Sequence, residues 1–145
     1  MNIVNISFNE INCKKNKQVQ GQVNVANNAK IKSVEETKMN IDSSRKALKI
    51  VFEFQTDYQP DFASLSVAGE LLLLADEKKA KEILDNWQKN KKLDDETAPK
   101  IINPIMNKGI LEAVFLSREL DLPAPIPLPS MKKKDGESPN KTKSN

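Results

Sequence analysis

Residues 101–129, IINPIMNKGILEAVFLSRELDLPAPIPLP, join a long, nearly all-apolar helix to a ladder of prolines. Asn103-Pro104 has the form of an N-cap followed by proline at the first helical position, where a missing N–H costs nothing. Ile105, Met106, Gly109, Ile110, Ala113 and Val114 then recur at helical spacing, so a helix is expected over about 103–119. Leu111, Phe115 and Leu116 lie off that face. A helix that is apolar on more than one side has to be covered twice, by its own domain and by something else. Pro123, Pro125, Pro127 and Pro129 follow, with Ile126 and Leu128 between them. Such a segment is extended, in polyproline-II geometry, and poor in backbone donors. No catalytic constellation accompanies it, which points to a binding protein.

Working outward, the preceding stretch reads as a second helix. Asp76 is its cap, with Lys79 at the box position, and Ala80, Ile83, Leu84 and Trp87 form one stripe at i, i+3, i+4 and i+7. Lys78, Lys81, Glu82, Lys89 and Lys91 make its solvated face, and Trp87 is read as core. Asp94-Asp95-Glu96 is read as an acidic linker capping the next helix, in preference to a cation site. Asp57 and Asp61, beside a turn, are read in the same way. Further back, Leu48, Ile50, Phe52 and Phe54 give the cleanest alternation in the chain. After a turn at Tyr58-Gln59-Pro60, Ala63, Leu65, Val67 and Leu71 continue it, an antiparallel hairpin. Gly69 inside that strand marks a bulge or a close approach. Leu71–Leu74 fit a strand buried on both faces or at a subunit contact. Residues 3–11 form a first strand with Val4, Ile6 and Phe8 on one face. Val23 and Val25 mark a short second strand ended by the turn signal Asn27-Asn28, and 29–41 reads as strand or loop. Strands followed by helices point to α+β, with the helices layered on one face of an antiparallel sheet.

The 145 residues support one domain, expected over 1–130, with a disordered lysine-rich tail over 131–145. The tail's five lysines against two carboxylates account for the whole net charge of +3, so the body is neutral. A neutral body argues against a basic groove for nucleic acid. Lys132-Lys133-Lys134, Lys141 and Lys143 have no aromatic residue among them to stack on bases, and a solubilising tail is the simpler reading. Histidine is absent, which removes the commonest general base and metal ligand, and one cysteine cannot complete a zinc set. The four glycines are too scattered for a phosphate-cradling loop. No cofactor, no metal and no enzymatic activity are expected. Cys13 is read as a packing residue on a strand. The N-terminus lacks the form of a signal peptide and no segment approaches about 18 apolar residues, so the expected place is the cytoplasm.

The order of elements resembles the SecB protein-export chaperone family, and most of all its divergent, archaeal-type members. The residues that carry the resemblance are Ile101-Ile102-Asn103-Pro104 at the helix start, Arg118 near its end and Leu120-Asp121-Leu122-Pro123-Ala124-Pro125-Ile126 after it. The chain departs from that family in its 5% aromatic content, its extra amphipathic helix over 77–90 and its lack of net acidity. The resemblance implies a four-stranded antiparallel sheet with helices on one side, a homo-oligomer (a dimer or a dimer of dimers), and ATP-independent holding of unfolded or translocation-bound polypeptides in apolar grooves. By position it implies Leu111, Phe115, Leu116, Leu120, Leu122 and Pro123 as the polypeptide-binding residues. The alternative is a ribosome- or RNA-associated accessory protein that uses the lysine tail.

Overall fold

The computed structural model describes residues 1–39 and 44–126. Pro127, Leu128, Pro129 and the lysine-rich tail lie outside the described residues, as do the last two positions of the 29–41 span. Four strands, β1 (Asn2–Lys15), β2 (Asn24–Thr37), β3 (Arg45–Gln59) and β4 (Ala63–Asp76), precede two helices, α1 (Glu77–Asn90) and α2 (Thr97–Glu119). The strands form one antiparallel sheet in the order β1-β4-β3-β2. This is the α+β arrangement expected, an antiparallel four-stranded sheet with two C-terminal helices on one face.

The hairpin β3–β4 is the centre of the sheet, and Phe54 pairs with Val67 across it. Its alternation places Leu48, Ile50, Phe52, Phe54, Leu65, Val67, Leu71 and Leu73 in the core. The other face stays half-buried and polar, with Lys49, Glu53, Gln55, Ser64, Ser66 and Glu70. Its exposed ion pairs, Lys49–Glu35 at 3.1 Å and Lys32–Glu53 at 3.9 Å, run between neighbouring strands and contribute little to stability. Leu72 turns to this face, so the four leucines split between the two sides. Gly69 answers to both expectations. A Cβ there would collide with the Ser7 carbonyl, and the β1–β4 register slips by one residue between Phe8 and Glu10.

A second slip, between Ile3 and Asn5, corrects the reading of the first strand: Val4 is exposed, and Ile3, Ile6 and Phe8 are the residues packed on the core. Asn27-Asn28 does not end β2, which continues to Thr37. Asn27 faces inward and its amide is satisfied on both sides: Thr56 Oγ1 donates to its Oδ1 at 2.6 Å, and its Nδ2 donates to the Pro125 carbonyl at 2.9 Å. Residues 16–23 carry the chain from one sheet edge to the other around the hairpin end, where the Asn16 N–H donates to the Phe62 carbonyl at 2.7 Å.

The helices cover two parts of one core. α1 and the first half of α2 lie on Leu48, Ile50, Phe52, Leu71 and Leu73, where Ala80, Ile83, Trp87, Ile101 and Ile105 bury. The second half of α2 lies on Phe54, Tyr58, Phe62 and Leu65. Asp76 caps α1 by accepting the Lys79 N–H at 2.7 Å. α2 starts at Thr97, and Pro104 lies inside it, which corrects the Asn103-Pro104 start. Asp94 supplies the earlier start: its carboxylate accepts from the N–H groups of Glu96 (3.1 Å) and Thr97 (2.8 Å) and from the buried Thr97 hydroxyl (3.0 Å). Partial burial works against that carboxylate, but the Thr97 bonds, Lys79 and the Glu96 N–H together hold its pKa below the usual range. Pro104 removes a bond to the Lys100 carbonyl on a turn whose Lys100 and Asn103 are exposed, the side of the helix where such a loss costs least. Among the described residues no helix is long and apolar enough to cross a membrane.

Candidate functional site

The buried residues of α2 are Thr97, Ile101, Ile105, Gly109, Ala113 and Ser117, one at every fourth position. Four residues overshoot a full turn by about 40°, so this line winds around the helix as it advances. The outward side winds with it. In the first half it shows Lys100, Asn103, Asn107 and Lys108, and in the second half Leu111 and Phe115. These two are 60% and 56% exposed, the largest exposures among the big apolar side chains of the described residues. They stand one helical turn apart and share a surface. Gly109 sets the depth at which this half of α2 lies: a Cβ there would overlap the Phe54 ring. Lys108 ties the same turn to the edge strand, lying 5.1 Å over the Phe8 ring and donating to the Ile6 carbonyl.

α2 ends in a Schellman motif. Asp121 takes a left-handed conformation at φ 53°, the Leu122 N–H donates to the Ser117 carbonyl at 2.9 Å and the Asp121 N–H to the Arg118 carbonyl at 3.3 Å. The turn sends the chain back across the helix side of the sheet, where Leu120–Ile126 forms a strap. Three side chains hold the strap by its main chain. Lys15 Nζ donates to the Leu120 carbonyl at 2.8 Å, Tyr58 Oη to the Pro123 carbonyl at 2.7 Å and Asn27 Nδ2 to the Pro125 carbonyl at 2.9 Å. Leu122 and Pro125 bury beneath it. Burial pushes the Tyr58 phenol up to about 12, although the Ser117 hydroxyl beside it pulls the other way. Burial also pushes the Cys13 thiol up, with the charge of Glu112 adding to it, which agrees with a packing role.

The six residues expected to bind polypeptide therefore divide. Leu111 and Phe115 face outward. Leu116 and Leu120 are half-buried against the core, Leu122 is only 8% exposed within it, and Pro123 is exposed with its carbonyl held by Tyr58. Sequence reasoning missed Lys15, Asn27 and Tyr58, which position the strap. The available signal was a polar side chain at an inward-facing register, as at Asn27 and Thr56, which has to find a partner. On the β1 edge Ile11 is also exposed, at 51%, on the helix side of the sheet opposite Val67. Elsewhere a polar hollow lies between Asn86, Asn90, Lys92 and Asp95, and a second of about 360 Å³ lies on the open sheet face between Asn5, Ser7, Lys49, Glu70 and Leu72. Among the described residues no group of three cysteine, aspartate or glutamate side chains is placed to hold a metal ion.

No protein-family model matches the chain, and no curated protein matches it by sequence. Its structure is similar to that of the Mycobacterium tuberculosis Rv1957 SecB-like chaperone, solved in complex with a ChAD peptide from the Rv1956 HigA1 antitoxin. The TM-score is 0.52 at 14% identity, over 90% of this chain and 89% of that one. At that identity the likeness is one of fold: the chain has a SecB-like architecture.

Proposed function

We propose that this protein is an ATP-independent holdase chaperone that keeps non-native polypeptides soluble by binding their apolar segments. The observation that carries the reading is the pair Leu111 and Phe115, held outward on a helix whose other side is already buried. An exposed aromatic and an exposed leucine on a rigid helix offer apolar area at low ordering cost. The SecB-like fold supports the same reading, because the similar Rv1957 chaperone was solved with a bound peptide. The protein works as a homo-oligomer, a dimer or a dimer of dimers, in the cytoplasm and without a cofactor. β1 is a 14-residue strand at the edge of the sheet, with Val4 and Ile11 exposed along it, a surface suited to a second copy.

The test is dilution of a chemically unfolded protein into buffer with the full chain, with the chain truncated after Ser130, and with Phe115→Asp, at low and high salt. Suppression of aggregation that survives truncation and salt and is lost in Phe115→Asp is the expected result. No suppression by either wild-type form sinks the reading. Suppression that vanishes with salt or with the tail transfers the activity to residues 131–145 and a polyanionic partner.

A further inference from the structure

The strap Leu120–Ile126 is bound to its own protein in an unusual way. All three of its anchoring side-chain bonds go to main-chain carbonyls, those of Leu120, Pro123 and Pro125. The donors come from three different strands: Lys15 from β1, Asn27 from β2 and Tyr58 from β3. Between these donors Leu122 and Pro125 are buried, with Leu122 among Phe54, Tyr58, Phe62 and Leu65. Main-chain carbonyls occur in every polypeptide, and an apolar hollow accepts any apolar side chain of similar size. The strap's own N–H bonds are local ones, from Asp121 to the Arg118 carbonyl and from Leu122 to the Ser117 carbonyl, and Pro123 and Pro125 have no N–H to give, so the three strand donors are what hold its path across the sheet.

We infer that the slot beneath residues 120–126 is a binding site for an extended apolar segment of a client polypeptide, filled in the resting protein by its own strap. This rests on the holdase reading and adds its regulation: a client enters by displacing the strap, so the strap lowers apparent affinity by the fraction of time it is closed. The strap leaves directly from the end of α2, the helix that carries the exposed Leu111 and Phe115. Occupants compete through the same three donors, so the strap has to be weakened from its own side and not from the slot's.

The experiment uses the full chain and a fluorescein-labelled peptide with the strap's own sequence, residues 119–126, ELDLPAPI. Its affinity is compared between wild type and Leu122→Ser, which removes the strap's buried anchor and leaves Leu111, Phe115, Lys15, Asn27 and Tyr58 in place. At least tenfold tighter binding is expected in the variant. Where Leu122→Ser loses the near-ultraviolet signal of Trp87, the same comparison is read in Pro125→Ser, with at least threefold expected. Tyr58 is the chain's single tyrosine, so absorbance titration gives a second readout. With the strap released, the phenol titrates below its wild-type position near 12. Unchanged peptide affinity and an unchanged phenol titration in a folded variant overturn the inference. If that variant still keeps an unfolded protein soluble, the holdase reading stands and only the slot is wrong. If it does not, and wild type does not either, the reading beneath it has failed.

Discussion

The two helices lie on the same face of the same sheet and are built on different terms. α1 buries Ala80, Ile83 and Trp87, and its exposed residues are all polar, Lys78, Lys81, Glu82, Asp85, Gln88 and Lys89 among them. α2 buries its line of small and branched residues and still shows Leu111 and Phe115. α1 needs nothing beyond its own domain. α2 is satisfied on one side and unpartnered on the other over its last three turns. Both helices bury core residues, Ile83 and Trp87 on α1 and Ile101 and Ile105 on α2, but the proposed function puts binding on α2 alone, and substitutions should separate the two roles.

The largest stability effect is expected where α1 meets the core. Trp87→Ala removes a side chain that is 9% exposed, packs on Ile83 and the sheet, and has Lys91 5.8 Å above its ring. A loss of about 3–5 kcal/mol is expected in a denaturant titration. If stability were unchanged while holding of unfolded protein vanished, Trp87 would have to be moved from core to site and the division between the helices would fall.

Next comes the strap under the end of α2. The Tyr58 phenol is raised to about 12 in the folded protein, against about 10 in an unfolded chain. Between those values the unfolded state has lost a proton that the folded state keeps, so stability falls as pH rises. The contribution is fully present below pH of about 10 and is lost toward pH 12, roughly 2–3 kcal/mol in all. Tyr58→Phe should flatten that part of the stability curve. An equally steep alkaline loss in the variant would place the sensitivity elsewhere.

What could be read from the sequence follows the same line. The β3–β4 hairpin and α1 were legible because periods of two and 3.6 residues report burial directly at Leu48–Phe54 and at Ala80–Trp87. Leu111, Phe115 and Leu116 all fall off the main apolar face in the sequence; the first two do face outward, while Leu116 packs half-buried on the core because the buried line winds around the helix. Asn27-Asn28 and Asn103-Pro104 misled, because local signals lose to distant partners. The Asn27 amide is satisfied by Thr56 and by the Pro125 carbonyl, 29 and 98 residues away in the chain. Asp94 caps α2 before Pro104 can start it. From the sequence the strap reads as an extended, proline-rigid segment, with Leu120, Leu122 and Pro123 implied as polypeptide-binding. That Leu122 turns inward depends on the left-handed Asp121 and on three donors far off in sequence, which no local pattern records.

Gly109 tests how closely the second half of α2 has to approach the sheet. Alanine there gains about 1 kcal/mol of helix propensity, but its Cβ meets the Phe54 ring, which is itself buried and cannot swing aside. Overpacking of this kind costs about 1–3 kcal/mol, so a net loss near 1 kcal/mol is expected from Gly109→Ala in thermal or chemical unfolding. A stabilised variant would mean that α2 rides higher on the sheet, and that Leu111 and Phe115 owe their exposure to something other than a fixed depth.

The smallest stability effect and the sharpest functional contrast come from putting the same charge on the two outer faces. Lys81→Asp on α1 and Leu111→Asp on α2 both alter exposed positions, and each should change stability by no more than about 0.5 kcal/mol. Their effects on an unfolded client should differ. Lys81→Asp replaces one solvated charge with another on a face that holds nothing. Leu111→Asp places a carboxylate where the proposed function has an apolar segment dock, and docking would then require that charge to shed water without a partner. Aggregation suppression should survive the first substitution and drop severalfold with the second, read at matched concentrations and at two salt levels to separate burial from general charge repulsion. Equal loss in both variants at low salt, recovered in both at high salt, would show that clients are held by electrostatics over the whole helical layer, and the distinction between α1 and α2 would then be one of packing alone.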